Sequence, residues 1–429
     1  MDDLKQTALY PWHVAQGANM APFGQYEMPL WYEAGVKAEH LAVITGAGIF
    51  DTSHMATLTV TGDRARELLQ FCFSKDLDQC VGAGKSPLTI GRCVYGIFLN
   101  PDGTALDDAI VYQTGESAYM VVINAGMGAE VAQRLADNNA DYGAVVTDRT
   151  DRVGKMDIQG PLAAKVMRKL LADPEAVFNK LVYFSFKGGF DDIASEQSVT
   201  LTDGTRIMLS RTGYTGEFGF ELFLAIDDFV TVWQAVVEAG QEFGVLPCGL
   251  AARDSLRAGA VLPLSHQDIG PWPFIANPWP FAVAWNDDQT GFTKSFIGSE
   301  AIAAVSAAGD YQHTLPFAGY DPRKIVVAET TFVTDLDGKH LGRILTCATD
   351  MAVGRVDGRI FSVASSEAAG RPADFSPKGL SCGFVQISEN LPVGTEIILT
   401  DGKRKKIKVE IVSDVRPERT ARRPMKEML

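Results

Sequence analysis

A chain of 429 residues with 46% hydrophobic residues is too long for one ordinary core and long enough for two or three compact units. Its formal net charge of -14 argues against nucleic acid or an anionic membrane as the main partner. Six cysteines without a Cys-x-x-Cys pair, and six histidines without ligand-like spacing to them, argue against structural zinc and fit thiols kept reduced in the cytosol. The first residues are acidic and lack an apolar signal segment, and no run approaches the roughly eighteen apolar residues that cross a bilayer. A cytoplasmic protein is expected.

Taken in order, the pattern predicts a helix that turns through Gly46-Ala47-Gly48 into Ile49-Phe50-Asp51, then the alternating strand Ala56-Thr57-Leu58-Thr59-Val60 and a helix over 63–73. Strands over 92–100 and 108–112 are joined through Pro101-Asp102-Gly103. A strand over 119–124 and a helix over 127–138 follow. The same order recurs as strand 155–159, helix 161–171, strand 199–209 and helix 229–243. This repetition predicts α+β units with antiparallel sheets carrying helices on one face, not a doubly wound nucleotide fold. Four prolines in 270–280 exclude a helix interior there, leaving a linker or the wall of a pocket. Beyond about 310, short strands alternating with turns at 335–338 and 401–402 predict a small all-β domain. The stretch 350–377 reads as an inserted surface loop. The basic runs 403–406 and 416–423 read as a turn plus an exposed tail, or else as a partner patch.

Three segments carry candidate chemistry. In Thr104-Ala105-Leu106-Asp107-Asp108-Ala109-Ile110 two adjacent acids open a strand and point to opposite faces, so one carboxylate can face a pocket and stabilise a protonated amine. A turn-terminating acid pair is the alternative. In 210–221 three glycines within seven residues let a ligand approach the backbone, and Glu221 sits between Phe220 and Leu222. A carboxylate in an apolar strand needs a partner, and a guanidine-like ligand edge such as the pteridine of folate supplies two hydrogen bonds. Exposure of Glu221 by ordinary strand alternation is the alternative. Finally, Arg253 and Arg257 stand one turn apart on a helix, as a carboxylate clamp or as surface ion pairs with neighbouring acids.

Leu9-Tyr10 with His13, Gly48-Ile49-Phe50-Asp51-Thr52-Ser53-His54-Met55, Leu106-Asp107-Asp108, Val121-Val122-Ile123-Asn124, Ile158-Gln159-Gly160-Pro161, 211–221, 249–257 with Leu262-Pro263-Leu264 and Gln267-Asp268, and Phe296-Ile297-Gly298 with Glu300 resemble, in order, the glycine cleavage T-protein or aminomethyltransferase family. The resemblance is good over about 9–300 and loose beyond. It implies a three-domain cloverleaf: 1–55 with 145–245, 56–144 with 246–295, and a C-terminal β-barrel over 310–429 with an insertion near 350–377. Two antiparallel-sheet α+β domains would surround a central channel for tetrahydrofolate. By matching position, the resemblance implies that Asp108 lies beside the reacting folate nitrogen. Glu221 and Tyr214 would hold the pterin, Met55, Tyr95, Val122 and Asn124 would line its pocket, and Arg253 would bind on the carboxylate side. The activity implied is one-carbon transfer from a donor to folate, by alignment and charge instead of a covalent intermediate.

The chain also departs from that pattern. Gly259 stands where a Glu is usual, Ser265-His266 where Tyr-Gly is usual, Pro280 where an acid is usual, and Pro22-Phe23-Gly24-Gln25-Tyr26 in place of Asp-Phe-x-Gly-Trp. The last domain's Ser-Gly-x-Phe-Ser-Pro signature is broken into Leu345-Thr346-Cys347-Ala348-Thr349 and, after a long insertion, Phe375-Ser376-Pro377. These changes fall on the donor side. They leave two enzymatic expectations: transfer from the aminomethyl-lipoyl arm of the glycine cleavage H-protein, or demethylation of a small N-, S- or O-methylated compound. In the second, Trp272, Trp279 and Trp285 would offer aromatic faces to a methylated cation, with simple packing around the proline-rich linker as the alternative that this spacing favours. His266 would be a proton shuttle or an idle loop residue. A folate-binding assembly factor without turnover is a third expectation, which the absence of a Lys-Gly-Cys-Tyr motif opposes.

Overall fold

The computed structural model describes residues 4–193, 195 and 197–429. Two sheets and a closed barrel organise it. The first sheet runs Phe186–Gly188, Met208–Ser210, Gly219–Ala225, Val153–Gln159, Gly48–Asp51 and Leu246–Pro247, antiparallel except for its last pair. The second runs Cys93–Leu99, Ala105–Gly115, Ala118–Ile123, Ala56–Thr61 and Val145–Asp148, antiparallel throughout. The barrel closes six strands between His313–Gly319 and Lys406–Ile411 around Phe317, Val333, Val385, Ile397 and Val409.

Strand alternation decides where the sheets go. One face of the second sheet, with Leu58, Val60, Val111 and Val121, packs on helices Ala65–Cys72 and Gly128–Asp137. Its other face presents Cys93, Tyr112, Met120 and Val122 to Val153, Met208 and Phe223 of the first sheet. The far face of the first sheet, with Met156, Ile158 and Leu222, packs on helices Ala163–Leu170 and Ile226–Gly240. The sheets therefore lie face to face with helices outside, and polar groups on the inner faces share one buried layer.

Several expectations need correction. The strand expected over 199–209 is interrupted by the turn at Asp203-Gly204, where Gly204 has φ +91; Thr200 and Arg206 bridge around it and only Met208–Ser210 joins the sheet. The surface loop expected at 350–377 contains the hairpin Val353–Val356 with Arg359–Ser362, turned by Asp357 and Gly358, both at positive φ. Strands of four residues are too short to show a period in so small-residue-rich a stretch. The exposed basic runs hold at 403–406 and at Arg422 and Arg423 but not at Arg416, which is 1% exposed because Asp350 and Glu217 neutralise it. At two edges strand pairing departs from the boundaries above, since Val145–Asp148 pairs with Ala56–Thr61 and Leu246–Pro247 with Gly48–Asp51. No helix among the described residues is long and apolar enough to cross a membrane.

Candidate active site

Register places Asp108 opposite Ile97, and Ile110 opposite both Tyr95 and Val122, so Asp108, Tyr95, Val122 and Asn124 share the inner face of the second sheet. Met55, just before the strand Ala56–Thr61, packs on the same inter-sheet core. Tyr95 Oη donates to Asp108 Oδ2 at 2.7 Å, and Asn124 Nδ2 donates to Asp108 Oδ1. Burial, and then the charge of Asp107, raise the Asp108 pKa to about 6 against the lowering effect of those two hydrogen bonds. The carboxylate is ionised at neutral pH but is a much better proton acceptor than an ordinary aspartate.

Asp107 is fully buried and accepts from Asn124 N at 3.0 Å, Asn124 Nδ2 at 2.9 Å and Ser265 Oγ at 2.7 Å. The pair is thus no turn-terminating device: one acid is a structural acceptor and its neighbour faces the layer. His266, at φ +61 and half exposed, lies 3.5 Å from Asp107, which raises its pKa chiefly through their hydrogen bond. Ser265 and His266 are therefore wired to the acid pair.

Facing them from the first sheet is a cluster that the sequence reading largely missed. Lys155, 2% exposed, sits 2.8 Å from Asp157 Oδ1 and 2.6 Å from Glu221 Oε1, and also donates to Thr52 Oγ1 at 3.1 Å. Glu221 further accepts from Tyr112 Oη at 3.2 Å and from Thr212 Oγ1. Burial of Glu221 is thus compensated inside the protein, and the premise that an apolar strand obliges it to pair with a ligand falls. Ordinary exposure is equally excluded, since it is 5% exposed. Lys155, Asp157 and Gln159 alternate with Met156 and Ile158, a pattern that signals an inward polar face only once both faces of the strand are known to be covered.

Arg253 donates from Nη1 to Asp157 Oδ2 at 2.8 Å and lies 5.0 Å over the ring of Tyr214. Among the described residues its other two nitrogens make no hydrogen bond, and 13% of its side chain remains exposed. Tyr214 Oη donates to the Pro263 carbonyl. The expected two-arginine clamp does not form. Arg257 is 1% exposed and spent on Asp254, Asp268 and Thr346. The three tryptophans are packed and do not make one open aromatic surface: Trp279 is 1% exposed with Phe384 at 5.1 Å, while the half-buried Trp272 and Trp285 carry Arg343 at 4.6 Å and Phe292 at 4.3 Å. His54, beside Met55, was also missed; burial lowers its pKa to about 4, so it is a neutral imidazole set edge-on to Phe23 at 5.5 Å.

Two facing sheets and a terminal barrel around a buried polar layer are the architecture in which comparison with known proteins places this chain among the one-carbon transferases of the glycine cleavage T-protein type. Residues 9–272 match the family model described as the GCVT N-terminal domain. The chain is 36% identical over 313 residues to an aminomethyltransferase of Symbiobacterium thermophilum, covering 72% of this chain and 76% of that protein. It is 38% identical over 308 residues to one of Saccharopolyspora erythraea, covering 71% and 76%. Among solved structures, the glycine cleavage system aminomethyltransferase T of Bartonella henselae superposes with a TM-score of 0.73 at 26% identity, covering 96% of this chain and 97% of that one. The chain belongs to the aminomethyltransferase family. It is an enzyme, which removes the assembly-factor reading.

Proposed function

We propose that the layer between the sheets binds tetrahydrofolate and that Asp108 is its catalytic residue. The observation that carries this is the placement of Asp108: a carboxylate fixed by Tyr95 and Asn124 on the inner face of one sheet, while the helix Leu250–Gly259 brings Arg253, with unspent donors, onto Asp157 of the other. The donor set fits a folate. Met55 and Val122 give apolar walls, Asn124 and Tyr95 polar edges, Tyr214 an aromatic ring, and Arg253 free N–H groups for a carboxylate. Glu221 contacts the ligand by exchanging a hydroxyl partner, Tyr112 or Thr212, for it, while Lys155 keeps its other oxygen.

When bound, the folate supplies the nitrogen that accepts the one-carbon unit. Asp108 stabilises the positive charge that passes onto that nitrogen and takes up its proton at a carboxylate oxygen. Tyr95 and Asn124 hold the carboxylate in orientation, and the Asp107 charge keeps it basic. Alignment of two bound reactants in such a site lowers barriers by about 7–11 kcal/mol in favourable cases.

The donor proposed is the aminomethyl group carried on a lipoylated H-protein. The relatives, all aminomethyltransferases, support this donor over a small methylated cation, for which the partly packed tryptophans give little further support. A donor screen with tetrahydrofolate, following methylene- and methyl-tetrahydrofolate separately, tests this. Methylene product with aminomethyl-lipoyl protein is expected; methyl product from an amine or sulfonium compound, with none from the lipoyl donor, would overturn it.

A pH dependence follows with a definite sign. Because the Asp108 pKa is raised to about 6 and the ionised form is the working one, kcat/KM is expected to rise through pH 6 to a plateau near neutrality. Rates that stay level between pH 5 and 7 would remove Asp108 from that role.

A further inference from the structure

The segment that follows the last barrel strand crosses back over the glycine-rich loop 212–219 and gives four consecutive residues of it a partner. Arg416 Nη2 donates to the Thr215 carbonyl, and Ala421 N to the Gly216 carbonyl at 3.1 Å. Thr420 Oγ1 donates to Glu217 Oε2 at 2.6 Å and accepts from Phe218 N at 2.8 Å. Arg416 also reaches the Leu256 carbonyl at 3.3 Å, on the helix Leu250–Gly259 that carries Arg253, and pairs with Asp350 of the barrel. One guanidinium thus ties together the loop holding Tyr214, the helix holding Arg253 and the barrel.

Two glycines make room for it. A Cβ on Gly259 would fall on Asp350 Oδ2 and come within 2.7 Å of Arg416 Nη1. A Cβ on Gly216, at φ +78, would lie 2.6 Å from Arg419 Cδ. Gly259, where the resemblance led one to expect Glu, is the position at which barrel and strap now bring in their own carboxylate and guanidinium.

We propose that residues 415–423 are a positioning strap for the ligand loop, with Arg416 and Thr420 setting the backbone that aims Tyr214. The inference rests on the reading of Tyr214 and Arg253 as folate contacts. Asp108 stands on the other sheet and does not touch the strap, so the strap governs how well folate is held and leaves the chemical step alone.

Thr420→Val keeps the volume and deletes the hydroxyl, while Arg416 still neutralises Glu217. The expected result is a rise of about tenfold in Kd and KM for tetrahydrofolate, with kcat at saturating folate within about twofold of the parent. Thr420→Ser restores both. Gly259→Ala, which pushes on the Asp350 and Arg416 pair from the helix, shifts KM in the same direction and keeps the test open should the first variant fail to fold. Calorimetry on the full chain separates the outcomes. A parent protein that does not bind tetrahydrofolate defeats the folate reading itself; a parent that binds it, with Thr420→Val and Gly259→Ala binding equally well, defeats the strap alone.

Discussion

Asp108→Asn is expected to lower turnover by about 10²–10³-fold while tetrahydrofolate binding, measured by calorimetry, changes little. The amide keeps the shape of the carboxylate; its oxygen can accept from Asn124 and its NH2 can donate to Tyr95 Oη, so the fold and the pocket wall survive. What it loses is a negative charge and a basic oxygen at the place where positive charge develops. The neighbouring Asp107 cannot substitute, because its oxygens are held by Asn124 and Ser265 on the buried side of the strand. Asp107→Asn is a useful contrast: it costs buried hydrogen bonds from Asn124 and Ser265 and removes a charge that helps raise the Asp108 pKa, but leaves the Asp108 carboxylate itself in place. Turnover near the parent level in Asp108→Asn would force the charge-stabilising role onto another group.

Lys155→Met carries the largest expected cost in stability, about 3–5 kcal/mol in urea unfolding. Lys155 compensates Asp157 and Glu221 at once, all three in a layer that water does not reach. Removing the ammonium leaves Asp157 with Arg253 and Glu221 with two hydroxyls, one charge short in a medium where an unpaired carboxylate is expensive. Pairing the change with Glu221→Gln is expected to recover part of the loss, since the double variant buries fewer uncompensated charges. A single variant as stable as the parent would show that the three groups are solvated in a way their burial contradicts.

Where one element supplies its own signal, the sequence reading holds. The helix expected over 127–138 is Gly128–Asp137, the turn at Pro101-Asp102-Gly103 joins two strands, and Glu221 lies in the strand Gly219–Ala225. Alternation makes it legible that one of the two adjacent acids can face inward, and the choice of Asp108 comes from the family resemblance. What stayed illegible is set by partners far away along the chain. Lys155 and Glu221 meet across two paired strands, 66 residues apart, and neither segment hints at the other. Arg416 belongs to a run that looks like a solvated tail by composition, yet its partner Glu217 is 199 residues earlier. That the tryptophans around the prolines pack is the reading their spacing favours, but their partners Arg343 and Phe384 come from the barrel, which no local pattern announces.

The parallel pairing of Leu246–Pro247 beside Gly48–Asp51 bears on the order of assembly during synthesis. The second sheet is built from one uninterrupted stretch ending at Asp148, so it closes as soon as that stretch leaves the ribosome. The first sheet begins with residues that emerge earlier still, and must then wait for almost two hundred more before its last edge arrives. Loop closure over such a separation is slow. The older strand, Gly48–Asp51, therefore gains its first partner only when Val153–Gln159 follows the finished second sheet, and its far edge only with Leu246–Pro247.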